Sequence, residues 1–403
     1  MSRVLSSAVL LVIAAVAYVV VQVVRPAGSV QATAVHTDAA LSGTAATLTW
    51  PSQGESAFGV AGDGVLASHG SQASTPLGSV TKIMTAYLLL HDHPVSPGAQ
   101  GPVLTVSSTD VTAYQADVAA TDSVVAVQAG EQLTELQALE ALLIPSGDNI
   151  ATMLATWDAG SVGAFVAKMN AEAKTLGLAH THYADPAGVQ PRTESDAADQ
   201  VRLAMAAMTL PVFRSVVGMA QVTLPVAGLQ YNVDALLGTD GIVGVKTGYI
   251  PQAGGCFVFA TTTKVGTATE TVVGVVLGQP STPTQPSALT AAFDATTALV
   301  PTIDRSLAQA QVVHQGQTLG TLRAPWASSP VPLRAAKSVS VLGLTGERVR
   351  TTVELPPHVA TPVHAGQHLG SAVVSVGTRT QTIPLEAGGS MGGPSVTWRL
   401  GNL

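Results

Sequence analysis

The sequence predicts an α+β fold, in which an antiparallel sheet packs against helices and carries an all-helical lobe, followed by a small all-β domain. Three observations support this prediction. Strand-like segments flank a helical middle between residues 51 and 300. Short apolar runs separated by Gly, Pro and Ser fill residues 301–403. Hydrophobic residues make up 46% of the 403 residues and charged residues only 11%, which suits two or three folded domains.

The N-terminal segment is almost wholly apolar from Val4 to Val24 and is flanked by Arg3 and Arg25. Its length falls within the roughly 17–25 residues of a membrane-spanning helix and exceeds the roughly 7–15 residues of a signal-peptide core. A small-x-small cleavage pattern occurs later, at residues 32–34. We therefore predict that residues 1–28 form a membrane anchor or, alternatively, a cleaved signal segment. Both alternatives export the rest of the chain.

A tether and a first domain are predicted next. Residues 29–50 are small and polar, which is typical of a linker. The domain predicted for residues 51–300 opens with short strands at 57–60 and 65–68 around a Gly-Asp-Gly turn. Five helix candidates follow, at 80–90, 133–144, 149–157, 162–176 and 196–208. Strand candidates return at 241–249, 256–262 and 271–277.

The last predicted domain covers residues 301–403 and begins near Pro301. It contains four short strand candidates, at 310–313, 339–342, 351–355 and 372–376. Turn residues separate them, and no helical periodicity intervenes. The pattern indicates a small β-sandwich-like domain.

The first chemical motif is Ser79-Val80-Thr81-Lys82, at the start of a predicted helix. Residues three apart share one helix face, and the helix N-terminus offers backbone N–H groups and a partial positive charge. A serine hydroxyl becomes a good nucleophile when a base takes its proton, and a neutral lysine amine can do that. Alone, the pattern is also compatible with a helix cap beside an exposed lysine.

The second motif is Ser146-Gly147-Asp148, in a turn between two predicted helices. Ser146 can relay a proton to a leaving group. A plain turn with a helix cap is the alternative interpretation of this segment.

The third motif is Lys246-Thr247-Gly248, in a predicted strand that is otherwise apolar or glycine. Lysine and threonine would project towards a substrate, and glycine would leave room for another backbone. The alternative is an edge strand whose lysine guards against aggregation. The three motifs come in one order, and two of the six lysines in the chain lie in them.

This set of motifs is typical of penicillin-binding proteins and class A β-lactamases. The chain resembles the low-molecular-weight D-alanyl-D-alanine carboxypeptidases over most of residues 52–403. The resemblance includes the segments around the three motifs, at residues 76–85, 142–150 and 240–249. It extends to residues 181–188 (Thr-His-Tyr-Ala-Asp-Pro-Ala-Gly), 362–370 and the ending Trp398-Arg399-Leu400. It implies a β-lactamase/penicillin-binding-protein-like domain followed by a β-sandwich.

The resemblance also implies a role for each motif. Ser79 would attack the penultimate D-alanine of a peptidoglycan stem peptide ending in D-Ala-D-Ala, with Lys82 as base and Ser146 as proton donor to the leaving D-alanine. Lys246 and Thr247 would bind the terminal carboxylate, and Lys246 should stay charged. Gly248 lies in the same substrate-binding strand. Backbone N–H groups of Ser79 and Tyr249 would form the oxyanion hole. β-Lactams would be covalent inhibitors, and no cofactor or metal is required.

Asp148 departs from the family pattern, which usually has Asn at this position. Asn can donate its amide N–H to a substrate carbonyl, whereas an ionised Asp only accepts. We expect Asp148 either to be protonated or to pair with Lys82 or Lys246, and in the second case Asn149 would contact the substrate. The departure also motivates a second hypothesis, in which the chain is a catalytically weak peptidoglycan-binding or scaffold protein.

Other functions are less well supported by the residues. A β-lactamase needs a deacylating glutamate, and the stretch 183–188 holds no such motif. The His91/His93 and His180/His182 pairs have a spacing that could hold a metal, but they lie in loop-like or helix-end sequence. A net charge of −7 argues against a nucleic-acid partner.

Overall fold

The computed structural model describes residues 2–25, 28–43 and 47–402. The chain forms two units, Ala46–Leu307 and the combination of Met1–Ala45 with Ala308–Leu403. The helices are α1 (Ser2–Val24), α2 (Lys82–Asp92), α3 (Ser108–Ala120), α4 (Glu135–Leu143), α5 (Asp148–Ala159), α6 (Val162–Thr175), α7 (Ala197–Met208), α8 (Pro211–Val217), α9 (Ala288–Ser306) and α10 (Val396–Gly401). Short 3-10 turns lie at Gly78–Thr81 and Thr239–Gly241.

The strands are β1 (Gln31–Ala34), β2 (Thr37–Ala40), β3 (Glu55–Val60), β4 (Gly64–His69), β5 (Thr75–Pro76), β6 (Val103–Thr105), β7 (Gln132–Thr134), β8 (Glu194–Ser195), β9 (Gln221–Leu224), β10 (Gly228–Tyr231), β11 (Ile242–Ile250), β12 (Gly254–Val265), β13 (Ala268–Gln279), β14 (Leu307–Val313), β15 (Thr318–Arg323), β16 (Val331–Ala335), β17 (Val339–Leu344), β18 (Arg348–Glu354), β19 (His368–Val376) and β20 (Arg379–Ala387).

The Ala46–Leu307 unit is built on a five-stranded antiparallel sheet in the order β11-β12-β13-β3-β4. The central strand β12 is apolar at nearly every position because both of its faces are covered. Val258 and Ala260 belong to the core shared with the helices, whereas Phe257 lies edge-on against Phe293 of α9, at 5.1 Å between ring centroids. The α+β fold predicted from the sequence is thereby built around one sheet with helices on both sides.

Helix α2 runs through the middle of the helical side of this unit. Its residues Ile83, Met84 and Leu89 are fully buried, and it packs against α4, α5, α6 and α7. Burying each such side chain contributes roughly 1.5–3 kcal/mol. The first residue of α2, Lys82, is therefore held by a rigid element.

The predicted domain boundary at residue 301 is wrong. Helix α9 continues through Pro301 to Ser306, and the unit ends at Leu307. Proline disfavours a helix interior, but the nearby apolar residues Val300 and Ile303 are buried in the helical segment.

The predicted tether at residues 29–50 is also wrong in part. Strands β1 and β2 pair with β15 and β18, at the two edges of a seven-stranded sheet ordered β1-β15-β16-β20-β19-β18-β2. Val30 and Leu41, which bracket these strands, are buried in the core of that unit. Because only Val35 and His36 separate the two edge strands, the sheet curls until its edges meet.

Candidate active site

The turn that carries Ser79, Gly78–Thr81, is pressed against the edge strand β11; it is the proposed nucleophile turn. Gly78 has a φ of +57°, and a Cβ on it would lie 2.8 Å from the backbone nitrogen of Tyr249. A Cβ on Gly248 would lie 2.6 Å from the carbonyl oxygen of Leu77. The two glycines therefore let the turn and the strand approach at backbone distance, and Ser79 lies partly exposed between them.

Lys82 is the centre of the site, and its side chain is fully buried. Its Nζ donates to Ser79 Oγ at 2.7 Å, Ser146 Oγ at 3.3 Å, Asp148 Oδ1 at 2.5 Å and Ala187 O at 3.4 Å. One amine thus contacts both motif serines. This geometry suits an amine that exchanges protons with either hydroxyl.

Asp148 forms an ion pair with Lys82, which is one of the two arrangements expected from the sequence. Its Oδ1 accepts from Lys82, and its Oδ2 accepts from the backbone N–H of Ser123 at 2.9 Å. Asp148 opens helix α5, where the helix dipole also favours a negative charge. Both oxygens are thereby used inside the protein.

The predicted contact of Asn149 with substrate is not supported. Its Oδ1 accepts from Val125 N at 3.0 Å and its Nδ2 donates to Val125 O at 2.9 Å. The side chain is buried, and these two hydrogen bonds hold the backbone of the 121–125 loop. The turn keeps its register, so Asn149 does not take the place of Asp148.

Ser146 is held in the left-handed region, with a φ of +68°. Non-glycine residues in this region cost of order 1–3 kcal/mol and persist where the surroundings enforce them. Here the Ile144–Gly147 turn between α4 and α5 enforces the conformation, and it aims the buried hydroxyl at Lys82.

Lys246 and Thr247 lie on β11, next to the nucleophile turn. The Lys246 Nζ is buried and donates to Thr247 O at 3.2 Å and Thr247 Oγ1 at 3.5 Å. Burial and the nearby Lys82 ammonium lower the pKa of Lys246 to about 7. That Lys246 stays charged when it binds a carboxylate remains a prediction.

A further loop, which contains none of the three motifs, also contacts Lys82. Asp185 accepts backbone hydrogen bonds from four residues, at 187–190, and one from the hydroxyl of Thr193. The loop also supplies two carbonyls to α2, Ala187 O to Lys82 and Pro186 O to Thr85. The resemblance at residues 181–188 was the only sequence signal for it.

One group in the described residues has metal-like spacing. Atoms of His180, Asp196 and Asp199 lie within 4.8 Å of one another. Asp196 caps α7 and bonds the His180 ring at 2.5 Å, and Asp199 accepts from Thr181 and Arg202. Hydrogen bonding therefore accounts for this cluster without an ion.

Comparison with known proteins gives consistent results. A sequence model described as D-alanyl-D-alanine carboxypeptidase matches residues 58–281. The D-alanyl-D-alanine carboxypeptidase of Streptomyces sp. strain K15 is 32% identical over 227 residues, covering 52% of this chain and 75% of that protein. One from Mycobacterium tuberculosis is 34% identical over 203 residues, covering 49% and 65%.

The fold has a solved counterpart. Penicillin binding protein 5 from Haemophilus influenzae aligns with 87% of this chain and 99% of its own, with a TM-score of 0.63 and 19% identity. At this identity the likeness concerns the fold alone, and it confirms the predicted arrangement of a penicillin-binding domain with an additional β domain.

Proposed function

Because the chain belongs to the D-alanyl-D-alanine carboxypeptidase family of serine hydrolases, we propose that Ser79 is the nucleophile of this enzyme. The protein is a D-Ala-D-Ala carboxypeptidase, and the non-catalytic scaffold alternative is not favoured. The observation that carries the residue assignment is the Lys82 amine, which contacts Ser79, Ser146 and Asp148 at once.

Acylation begins with a proton transfer. In the form that reacts, Lys82 is neutral rather than the ammonium that pairs with Asp148. It takes the proton of Ser79, and the Ser79 oxygen forms a bond to the carbonyl carbon of the penultimate D-alanine. Lys82 then carries a positive charge, which the carboxylate of Asp148 stabilises. Ser146 gives its proton to the departing D-alanine nitrogen and regains one from Lys82, so the C–N bond breaks and the protons balance.

The edge strand β11 positions the substrate in this proposal. Lys246 and Thr247 bind the terminal carboxylate of a stem peptide. The backbone N–H groups of Ser79 and Tyr249 stabilise the oxyanion, a contribution of about 3–4 kcal/mol per donor in hydrolases. The close packing of Gly78 on β11 supports this pairing of donors. Water then hydrolyses the ester. A β-lactam would acylate Ser79 in the same way and remain as a covalent inhibitor.

We also propose an extracytoplasmic enzyme whose N-terminal helix stays attached as a membrane anchor. The window Ser7–Val24 is long and apolar enough to cross a bilayer, and none of it is buried in the protein. Cleavage after Ala34 would remove the whole of β1, which covers the edge of β15. Retaining the segment keeps that edge paired.

Release of D-alanine tests the proposed function. Purified protein should release it from a stem-peptide analogue ending in D-Ala-D-Ala and not from a matched peptide ending in D-Ala-L-Ala. A protein that binds labelled penicillin but releases no D-alanine from either peptide would instead support the scaffold alternative.

A further inference from the structure

The C-terminal end of α1 is covered by the last helix of the chain. Residues 7–21 are exposed, whereas Gln22 and Val23 in the last turn of α1 are half-buried. Helix α10 packs against α1, and the guanidinium of Arg399 donates to the carbonyl of Arg25. A cation at this place is favourable, because the carbonyls at the end of a helix have no partner inside the helix. Helix α10 is therefore fixed where the apolar window of α1 ends.

Two indole rings lie beside this junction. Trp398 of α10 packs edge-on against Trp326, with 5.8 Å between the ring centroids and 73° between the ring planes. The Nε1 of Trp326 donates to the carbonyl of Gly392 at 2.9 Å, which fixes this ring. A Cβ on Gly28 would lie 3.6 Å from Pro325 Cγ, so the chain that follows α1 runs past the residue before Trp326. Two of the four tryptophans in the chain thus lie near the end of α1.

The segments that meet here are basic, although the chain is acidic. Residues 25–31, 323–330 and 391–403 contain three arginines and no aspartate or glutamate. The whole chain, by contrast, has a net charge of −7. Tryptophan is enriched at the boundary between acyl chains and headgroups, and arginine near a membrane surface is attracted to anionic lipids. The composition of this junction therefore matches a membrane interface.

A cavity of about 340 Å³ opens next to the same segments. Its polar lining comes from Gln31, Arg323, Ser328 and Ser329, which offer N–H and O–H donors. Gln31 and Arg323 are paired across the β1–β15 ladder, so the cavity is built on the first strand after α1. A lining that combines a guanidinium with hydroxyl and amide donors, and includes no carboxylate, suits a phosphate group.

We propose that the α10 face, formed by Arg25, Arg323, Trp326, Trp398 and Arg399, contacts the membrane surface and binds the phosphate of an anionic phospholipid headgroup in this cavity. The two indoles lie at the boundary between headgroups and acyl chains, and the arginines lie among the phosphates. This proposal rests on the proposed anchor, because α1 brings the face to the bilayer. It adds a preference for anionic lipid, which an apolar helix alone does not provide.

The test uses the full-length protein in phosphatidylcholine vesicles that contain either brominated phosphatidylglycerol or the same share of brominated phosphatidylcholine. Bromine quenches the fluorescence of an indole that it contacts, so the two quenching curves give the lipid preference. We expect wild type to prefer phosphatidylglycerol. Arg323→Gln should lower this preference about fivefold, the typical effect of one arginine near an anionic surface. High salt should weaken it as well.

Two further variants assign the signal. Arg348→Gln is the matched control, because it removes an exposed arginine of the same unit that pairs with Ala40 at the end of β2, and it should behave like wild type. The double variant Trp326→Phe/Trp398→Phe should lose most of the quenching by brominated lipid. Arg323→Gln changes only an exposed side chain, so it decides the question even if the double variant does not fold.

Three outcomes would overturn the proposal: equal quenching of wild type by the two lipids, a wild-type preference in Arg323→Gln, or full quenching in a folded Trp326→Phe/Trp398→Phe variant. If an alkaline wash releases the wild-type chain from the vesicles, α1 is not an anchor and this inference fails with it. Labelled penicillin reports separately on Ser79 in the same vesicles, so a failure here is distinguishable from a failure of the proposed enzymatic function.

Discussion

Asp148 shows how one residue changes the electrostatics of the site. An Asn at this position would be neutral, whereas the Asp148 carboxylate lies 2.5 Å from the Lys82 amine and is held on its other side by Ser123 N–H. In the proposed mechanism, the positive charge that Lys82 acquires from Ser79 is therefore met by a fixed negative group. Because Asp148 is already in position, the protein does not have to rearrange around Lys82 during the reaction.

We predict that Asp148→Asn lowers the rate of acylation about 10- to 100-fold. The amide loses the charge that stabilises the protonated Lys82, and its single oxygen can accept from either Lys82 or Ser123 N–H but not from both, so one of the two contacts of Asp148 is lost. Because the loss does not depend on titration of Asp148, it should be similar from pH 6 to 9 when acylation by a fluorescent penicillin is timed. A gain in activity at neutral pH would show that Asp148 acts as a protonated donor.

At the residue scale, the sequence predicted that the motif side chains lie close together. It did not predict which hydrogen bonds the surrounding side chains form. Ser79, Lys82 and Ser146 could be inferred because their motifs occur in one order. The contacts of Asn149 could not, since they depend on the 121–125 loop, which has no motif.

The packing of the nucleophile turn on β11 is the main feature at the scale of elements. Gly248 pairs with Cys256 in the β11–β12 ladder. A Cβ on Gly248 would point at the carbonyl oxygen of Leu77. A side chain at this position would separate the turn from the strand. Ser79 and Tyr249, which belong to the two different elements, would then no longer be aligned.

Gly248→Ala should therefore lower kcat/KM by about 100-fold, the typical effect of a displacement near 1 Å in an active site. The new Cβ would lie 2.6 Å from Leu77 O and 3.0 Å from Val80 N. Kinetics on the D-Ala-D-Ala peptide and a thermal melt measure the effect on activity and on the fold separately.

The matched control is Gly163→Ala, where a Cβ on helix α6 meets no atom within 4 Å. This variant should keep wild-type kinetics, and the helix should gain slightly in stability. Wild-type activity in Gly248→Ala would mean that the turn and the strand are not coupled as described.

Several elements with a buried face were predicted, whereas α8 and α9, which also bury apolar residues, were not. Strand β12 was predicted from its continuous apolar run, and α2, α5 and α7 from apolar residues that enter the core. Helix α3 was missed because none of its residues is buried and its apolar pattern is correspondingly weak. Strands β1 and β2 were missed because each has only four residues, none of them large and apolar, and each pairs with a segment far along the chain.

At the scale of the whole chain, the N-terminal segment is structurally part of the C-terminal β unit. Its two strands cover both edges of the seven-stranded sheet, and Val30 and Leu41 belong to its core. Helix α1 belongs to the same unit. A processing event near Ala34 would affect the stability of this unit as well as its attachment.

Two truncations test this relationship. Protein starting at Val30 keeps β1, whereas protein starting at Val35 lacks both β1 and the buried Val30. We expect the shorter form to lose at least about 1.5–3 kcal/mol of unfolding free energy in the C-terminal unit, the contribution of one buried valine. Urea unfolding followed by Trp fluorescence measures this loss, and penicillin labelling reports separately on the other unit. Identical unfolding of the two forms would show that β1 is dispensable and would remove this argument for a retained anchor.

The most direct measurement for the whole account is the site of acylation. Wild-type protein is incubated with labelled penicillin, digested, and analysed by mass spectrometry alongside Ser79→Ala. We predict one label per molecule, carried by the peptide that contains Ser79, and none in the variant while its melting temperature stays close to wild type. A label that persists in folded Ser79→Ala, or that resides on Ser146, would contradict the assignment of Ser79 as nucleophile.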